Sequence, residues 1–254
     1  MIAYLLLFII VVAILAWVIF FRHRVSASPL TPVQKKLLDQ HVDFYHRLTK
    51  KERKRFEQKI SVFLAETRIE GVGTEITDLD QILIASSAVI PIFGFPEWHY
   101  QNLTNIVLYP DTFNGEFQFE GEGRNIMGMV GSGFMNGQML LSRAALTKAF
   151  SPASGKENAA LHEFVHLLDN ADGSTDGLPE KFTAPEFAQP WLSLMHREMH
   201  RIKEGHSDIN PYALTNEAEF FAVAAEYFFE KPDKFKTAHP ELYQSLSQVF
   251  AQTP

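Results

Sequence analysis

Residues 154–170, SGKENAALHEFVHLLDN, place two histidines and a glutamate in the order H-E-x-x-H inside a stretch of helical periodicity. Ser154 followed three residues later by Glu157 reads as a capping box, and Leu161, Phe164, Val165 and Leu168 fall at i, i+3, i+4 and i+7. One face of such a helix must be buried. At about 100° per residue, His162 and His166 stand roughly 40° apart beside that apolar stripe, so their imidazoles project together. Two neutral imidazoles one turn apart can hold one ion at Zn–N distances of about 2.0 Å. Glu163 points further round and cannot easily join them. Its carboxylate instead reaches the open fourth position of such a site, where it can take a proton from water.

A catalytic zinc site normally has three protein ligands and one open position. Residues 210–232, NPYALTNEAEFFAVAAEYFFEKP, read as a second helix that starts near Thr215 and is stopped by Pro232. Its aromatic residues lie nearly all the way round, which implies burial, yet Glu219, Glu226 and Glu230 fall within about 40° of one another. Buried carboxylates need partners, and a cation is a natural one. Glu219 is therefore expected as the third ligand, with Glu226 as its support or replacement. Asp172 stands where a metzincin pattern would put a third histidine, but Asp169 occupies the place of the glycine that pattern needs. Asp169 lies on nearly the same face as His162, two turns on, and could orient a ligand imidazole. His196 and His200 are also one turn apart, but Arg197, Arg201 and Lys203 mark that helix as a solvated face.

HEFVHLLD followed by PYALTNEAEFFAVAAEYFF resembles the zinc peptidase family of Mlc titration factor A, itself similar to the catalytic domain of anthrax lethal factor. The resemblance runs from about Thr31 to the C-terminus. It implies a zincin fold, Zn2+ held at His162, His166 and Glu219, and Glu163 as general base. It also implies that Tyr212, seven residues before Glu219, stabilises an oxyanion through its hydroxyl. Members of that family are described as aminopeptidase-like and as binding a sugar-responsive transcriptional repressor. The first two dozen residues have no counterpart in its soluble members.

That leading segment has its own reading. Ile2 to Phe21 is an uncharged run of twenty residues, which at about 1.5 Å per residue spans a hydrocarbon core of roughly 30 Å. Residues 1–21 are therefore expected to form one transmembrane helix, with 22–30 as linker. Arg22 and Arg24 follow the run and no basic residue precedes it, which places the rest on the cytoplasmic face of the inner membrane. Ser26-Ala27-Ser28 resembles a signal cleavage site, but Met1 leads straight into the apolar run with no charged region before it.

The remainder, 31–254, is long enough for one sizeable core. A net charge of -7 gives no electrostatic case for nucleic acid. With no cysteines, disulfides and thiolate ligands are excluded. Thr31 with Gln34 and Thr49 with Glu52 are capping boxes that open a helical hairpin over 31–70. The run Lys50, Lys51, Arg53, Lys54 and Arg55 reads as a solvated helix face, near enough to the anchor to touch acidic headgroups. Within 71–254, a helix capped by Thr77 is expected over 78–89 after a turn at Gly71 and Gly73. Strands are expected at Asn105–Tyr109, Phe117–Glu120 and Gln138–Ser142, and further helices over 186–204 and 240–251. The glycine-rich residues 121–133 lack the spacing of a phosphate cradle. The resemblance instead makes 128–142 the place where a substrate backbone lies along an edge strand.

Together these readings describe an α+β, zincin-like metallopeptidase domain, mostly helical with a small mixed or antiparallel sheet, behind a membrane anchor. The expected activity is zinc-dependent hydrolysis of peptide bonds in a peptide or protein substrate. The alternative is a membrane-tethered binder that sequesters a transcriptional regulator and keeps zinc mainly for structure.

Overall fold

A computed structural model describes residues 27–100, 102–121, 123–131, 137–151, 155–179 and 185–254. The apolar run expected to cross the membrane lies outside them, as do most of the linker and Ser154. Among the described residues no helix is long and apolar enough to cross a membrane.

Three helices open the described chain: α1 (Pro32–His41), α2 (Asp43–Arg47) and α3 (Lys50–Glu66). Both expected capping boxes are formed, Thr31 with Gln34 and Thr49 with Glu52. Two residues of the basic run also pack: Arg53 lies over the Tyr45 ring and Arg55 over the Phe93 ring, at 4.8 and 4.1 Å from the centroids. Strand β1 (Arg68–Gly71) then forms where only a turn is legible, because RIEG is half-exposed and short. Helix α4 (Asp78–Ile92) is capped by Thr77 and Asp80 and is buried along most of its length.

The sheet follows as β2 (Asn105–Tyr109), β3 (Gly128–Val130) and β4 (Gln138–Ser142), in spatial order β1-β2-β4-β3. β1, β2 and β4 run parallel, and β3 is antiparallel to β4 at the edge. Residues 117–120 form no strand: Phe117 takes a left-handed φ of 62°, and the nearby pairing is one isolated bridge, Phe113 to Ile126. Alternation without a partner strand does not make a ladder.

Helices make up the rest: α5 (Arg143–Ala149), α6 (Ala159–Asp169), α7 (Pro185–Lys203), α8 (Glu217–Glu230), α9 (Pro232–Ala238) and α10 (Pro240–Val249). Pro232 does end α8, but by opening α9 at a position where its missing N–H costs nothing. Arg143, at the start of α5, grips both oxygens of Asp80 at 2.9 and 2.7 Å and so ties the sheet's exit to the cap of α4. α6 packs against α4, α8 and β3, with Leu161, Phe164 and Val165 buried. Phe164 meets Phe63 and Tyr100 at ring-centroid separations of 5.7 and 5.2 Å. α8 is buried on nearly every face, and Phe221, Phe228 and Phe229 gather around Phe250.

Candidate metal centre

The metal-helix candidate, α6, begins at Ala159, four residues later than a Ser154 cap would put it. Asn158 is the N-cap, its side chain accepting from the Leu161 N–H at 3.1 Å. The competing cap wins because two acids of α8 hold Asn158: Glu226 accepts its backbone N–H, and Glu230 accepts its side-chain N–H at 2.8 Å. Asparagine directly before A-A-L-H was a readable cap signal. The acids that secure it arrive from 68 and 72 residues away.

Three atoms converge at the cleft-facing edge of α6. His162 Nε2 lies 3.0 Å from His166 Nε2 and 2.9 Å from Glu219 Oε2, and His166 Nε2 lies 3.5 Å from the same oxygen. They form a set able to share one ion, with all donor atoms within 4.8 Å of one another. Glu219 is the third residue of α8, fixed by the Asn216 cap, which accepts its N–H at 2.8 Å. Glu226, one face-repeat further on, does not reach this point. It meets the other side of the ring, His162 Nδ1 to Glu226 Oε1 at 2.7 Å.

The donor set fits a divalent cation on its own chemistry. A carboxylate only accepts, so His162 Nδ1 carries the proton that Glu226 receives, and neutral His162 then turns a bare Nε2 lone pair toward Glu219. Two lone pairs at 2.9 Å repel unless an added proton or a metal ion lies between them. The site favours positive charge: burial lowers the His162 pKa, but Glu219 and Glu226 outweigh it and hold the value up at about 10. Hydrogen bonding to His162 and His166 holds Glu219 down at about 2. Two imidazole nitrogens, one carboxylate oxygen and an orienting carboxylate behind one ring suit zinc.

Glu163 lines the same cleft, and burial raises its pKa against the lowering pull of both histidines. β3 lies directly over it. A Cβ added at Gly128 would stand 2.7 Å from Glu163 Cγ, so glycine is what lets the edge strand approach this closely. Gly128, within the glycine-rich stretch, thus serves strand-to-helix contact, on the edge strand expected from 128 onward. In β3 the bonds to β4 fall on alternate residues, with Gly131 N–H to Gln138 O at 2.8 Å and Ser142 N–H to Met127 O at 2.9 Å. The N–H and C=O groups of Gly128 and Val130 therefore turn away from β4 toward the cleft.

Tyr212 sits in a 3-10 turn, Pro211–Leu214, whose cap Asn210 accepts the Tyr212 N–H at 2.9 Å and donates to Glu157 at 2.7 Å. Its ring centroid is 6.1 Å from that of His162 and its side chain is 54% exposed, leaving the hydroxyl free to meet a ligand in the cleft. The remaining acids and histidines are elsewhere. Asp172 is exposed and accepts from Ser174 N–H at 3.0 Å. Asp169 is buried, with burial raising its pKa to about 6, but it accepts from Gly177 N–H at 2.8 Å instead of orienting an imidazole. Glu226 takes the orienting position from the facing helix, whereas the Asp169 carboxylate is engaged by the backbone of Gly177. His196 and His200 lie on the solvated face of α7, 3.2 Å from Glu217 and Glu204.

A buried H-E-x-x-H helix under a sheet edge, with a carboxylate delivered by the facing helix α8, is the architecture of a metallopeptidase-type protein. Comparison with protein families places the chain among them: it belongs to the glucose-regulated metallo-peptidase M90 family, whose model matches residues 18–251. An uncharacterized protein of Synechocystis sp. is 27% identical over 249 residues, covering 94% of this chain and 90% of that one. Mlc titration factor A of Escherichia fergusonii is 29% identical over 231 residues, 84% of each chain. Mlc titration factor A of Klebsiella pneumoniae is 29% identical over 225 residues, 82% of each.

Proposed function

We propose that this chain hydrolyses peptide bonds with zinc held by His162, His166 and Glu219. The observation that carries the reading is the convergence of those three donors beside Glu163, beneath an edge strand whose backbone groups face the cleft. The chemistry that bound zinc would supply is Lewis-acid polarisation of the scissile carbonyl and of water. Gly128 and Val130 align the substrate backbone by strand pairing. Glu163 takes a proton from the attacking water at its carboxylate and delivers it to the leaving amine nitrogen, so that one water is added across the broken C–N bond. Tyr212 hydrogen-bonds the oxyanion through its hydroxyl.

Glu163→Gln tests this. It keeps size and leaves the three donors in place, so zinc content and melting temperature should match the parent while hydrolysis falls at least about a hundredfold. Unchanged hydrolysis would remove Glu163 from the mechanism. The name of the two enterobacterial relatives supports a second role, binding of a protein regulator, which Glu163→Gln should leave intact. We also propose, from the apolar run 2–21 and the arginines after it, that the domain is tethered to the cytoplasmic face of a membrane.

A further inference from the structure

The basic residues of this chain are gathered near its start. Residues 22–59 hold eleven Lys and Arg against four Asp and Glu, whereas residues 60–254 hold twelve against twenty-six, so a chain of net charge -7 carries a positive hairpin on an acidic remainder. Such asymmetry calls for an anionic partner on the basic part. The structure sorts the cations into two groups. Arg47 donates to Phe229 O at 3.0 Å, Arg53 to Leu48 O at 3.2 Å and His46 O at 3.0 Å, and Lys59 to Phe95 O at 2.7 Å. These serve the fold. Lys36, Lys50, Lys51 and Lys54 are exposed, and no described residue holds them in a hydrogen bond or ion pair. Resting on the membrane tether proposed above, which brings a bilayer near, we propose that these four lysines form a face that docks the domain on anionic phospholipid headgroups.

The face works against the helix that carries it. Five of the first six residues of α3 are cationic, and the sixth, Glu52, is occupied as the partner of the Thr49 cap. A helix N-terminus already carries partial positive charge, and Lys50 with Lys54 and Lys51 with Arg55 are like charges one turn apart. Local helix physics would put acids here. A sheet of headgroup phosphates relieves both repulsions, which gives a reason for a sequence that breaks the local rule. Lys50, Lys54 and Glu57 follow at i, i+4 and i+7 on one side of α3, and Lys35 reaches Glu57 from α1 at 2.6 Å, so the two helices meet along that side. None of the four lysines lines the cleft.

Distance and salt set the terms. The nine residues 22–30 span at most about 30 Å, so an anchor at 2–21 keeps the start of α1 within that reach of the bilayer. Screening cuts the attraction to about 10 Å at 0.1 M salt, so the docked state needs close approach. Each lysine brought close to an anionic surface favours that state by about fivefold. Nucleic acid also offers phosphates, but a long polyanion crossing the hairpin must run on along the acidic remainder, whereas a bilayer at the anchor meets the hairpin first.

The test inserts the full-length chain into vesicles of phosphatidylcholine alone or of phosphatidylcholine mixed with phosphatidylglycerol. The chain has no cysteine, so Gln58→Cys, exposed on α3, carries one fluorophore beside the lysines, and Glu116→Cys carries it on the acidic remainder in a second preparation. Quenching by a nitroxide on the lipid headgroup reads proximity. The expected result is quenching at position 58 that needs phosphatidylglycerol, exceeds any change at position 116, and is lost in about 0.5 M salt. Lys36→Gln, Lys50→Gln, Lys51→Gln and Lys54→Gln together should lower the docked-to-free ratio by roughly fivefold per lysine while the melting temperature holds or rises. Lys50→Gln with Lys54→Gln makes the same test with half the change. Equal quenching in the two lipids would overturn the proposal, as would a phosphatidylglycerol dependence that survives loss of the four lysines. Binding of single-stranded DNA at this face with no response to vesicles would overturn it in favour of nucleic acid. Extraction of the chain by alkaline carbonate would instead refute the tether; salt-sensitive quenching of the extracted chain by phosphatidylglycerol vesicles then keeps the docking face, and its absence removes that as well.

Discussion

Gly128→Ala adds one carbon at the point where β3 crosses Glu163, and the structure sets the size of its effect. The new Cβ would lie 2.7 Å from Glu163 Cγ, 3.0 Å from Oε1 and 3.2 Å from Cδ. Carbon atoms in contact sit about 3.5–4.0 Å apart, so the carboxylate must retreat by about 1 Å. The nearest atom is the middle of the side chain, which cannot swing aside as a tip could. A displacement of that size at a reacting group costs about a hundredfold, equivalent to about 2.7 kcal/mol of transition-state stabilisation. The backbone has no objection to alanine, because Gly128 is not among the positive-φ glycines, and alanine in a strand is favoured over glycine by about 0.5–1 kcal/mol. Zinc content should therefore hold, and stability should fall by no more than about 1–3 kcal/mol, the cost of the overpacked contact offset in part by the alanine gain, while kcat on a fluorogenic peptide falls. Gly115→Ala, with nothing within 4 Å of its Cβ, is the control expected to change neither. A Gly128→Ala enzyme as fast as the parent would show that the strand does not fix Glu163; loss of zinc would show that the substitution acts on the donors instead.

Glu226→Gln weakens the hydrogen bond to His162 Nδ1 without touching a donor atom, and should lower zinc affinity about 10–100-fold in a competition titration with a chelator. His239→Gln removes the imidazole held 3.1 Å from Glu198 and 2.8 Å from Asp208, a pair buried on the Glu198 side but 39% exposed at Asp208. A loss of about 3 kcal/mol in denaturant unfolding is expected, the low end for a broken buried pair because of that exposure. Burial lowers the His239 pKa but the two carboxylates raise it above its ordinary 6.5, so its contribution is fully present below that value and lost as pH climbs through the raised one. The parent's advantage over His239→Gln should thus be largest on the acid side of neutrality and shrink in alkali. An alkaline phosphatase fused after Pro254 should stay inactive in cells, because a cytoplasmic reporter cannot form its disulfides; strong activity would put the domain on the other face.

The helices that announce themselves in the sequence are those whose ends are settled locally. Thr31 with Gln34, Thr49 with Glu52, and Thr77 each cap the helix that follows by contacts within four residues, and such contacts can be read without a structure. β2 and β4 were legible for a related reason: NIVLY and QMLLS are buried runs that pair with each other in the middle of the sheet. What escaped depends on distant partners. β1 exists because β2 lies beside it, and 117–120 stays out of the sheet because nothing does. The cap of α6 moved from Ser154 to Asn158 because Glu226 and Glu230 reach it from α8.

Periodicity put Glu219, Glu226 and Glu230 on one face of one helix, and no pattern in the sequence separates what each does there. The imidazole of His162 separates them. Glu219 approaches its Nε2 and Glu226 its Nδ1, on opposite edges of a rigid ring, so one ion cannot be reached by both carboxylates. The edge shared with His166 Nε2 is the Glu219 edge, which leaves Glu226 to set the ring's orientation and tautomer. Glu226 also accepts the Asn158 N–H, so the same carboxylate that aims the imidazole holds the first turn of the helix carrying it. Glu230 secures the Asn158 side chain from one turn further along. Helix α8 therefore supplies a donor from its first turn and, through its later turns, the stiffness that lets two histidines of α6 wait at one point. Loss of the Glu226 or Glu230 carboxylate, which leaves the aromatic packing of α8 in place, should reach the zinc affinity before it reaches the fold.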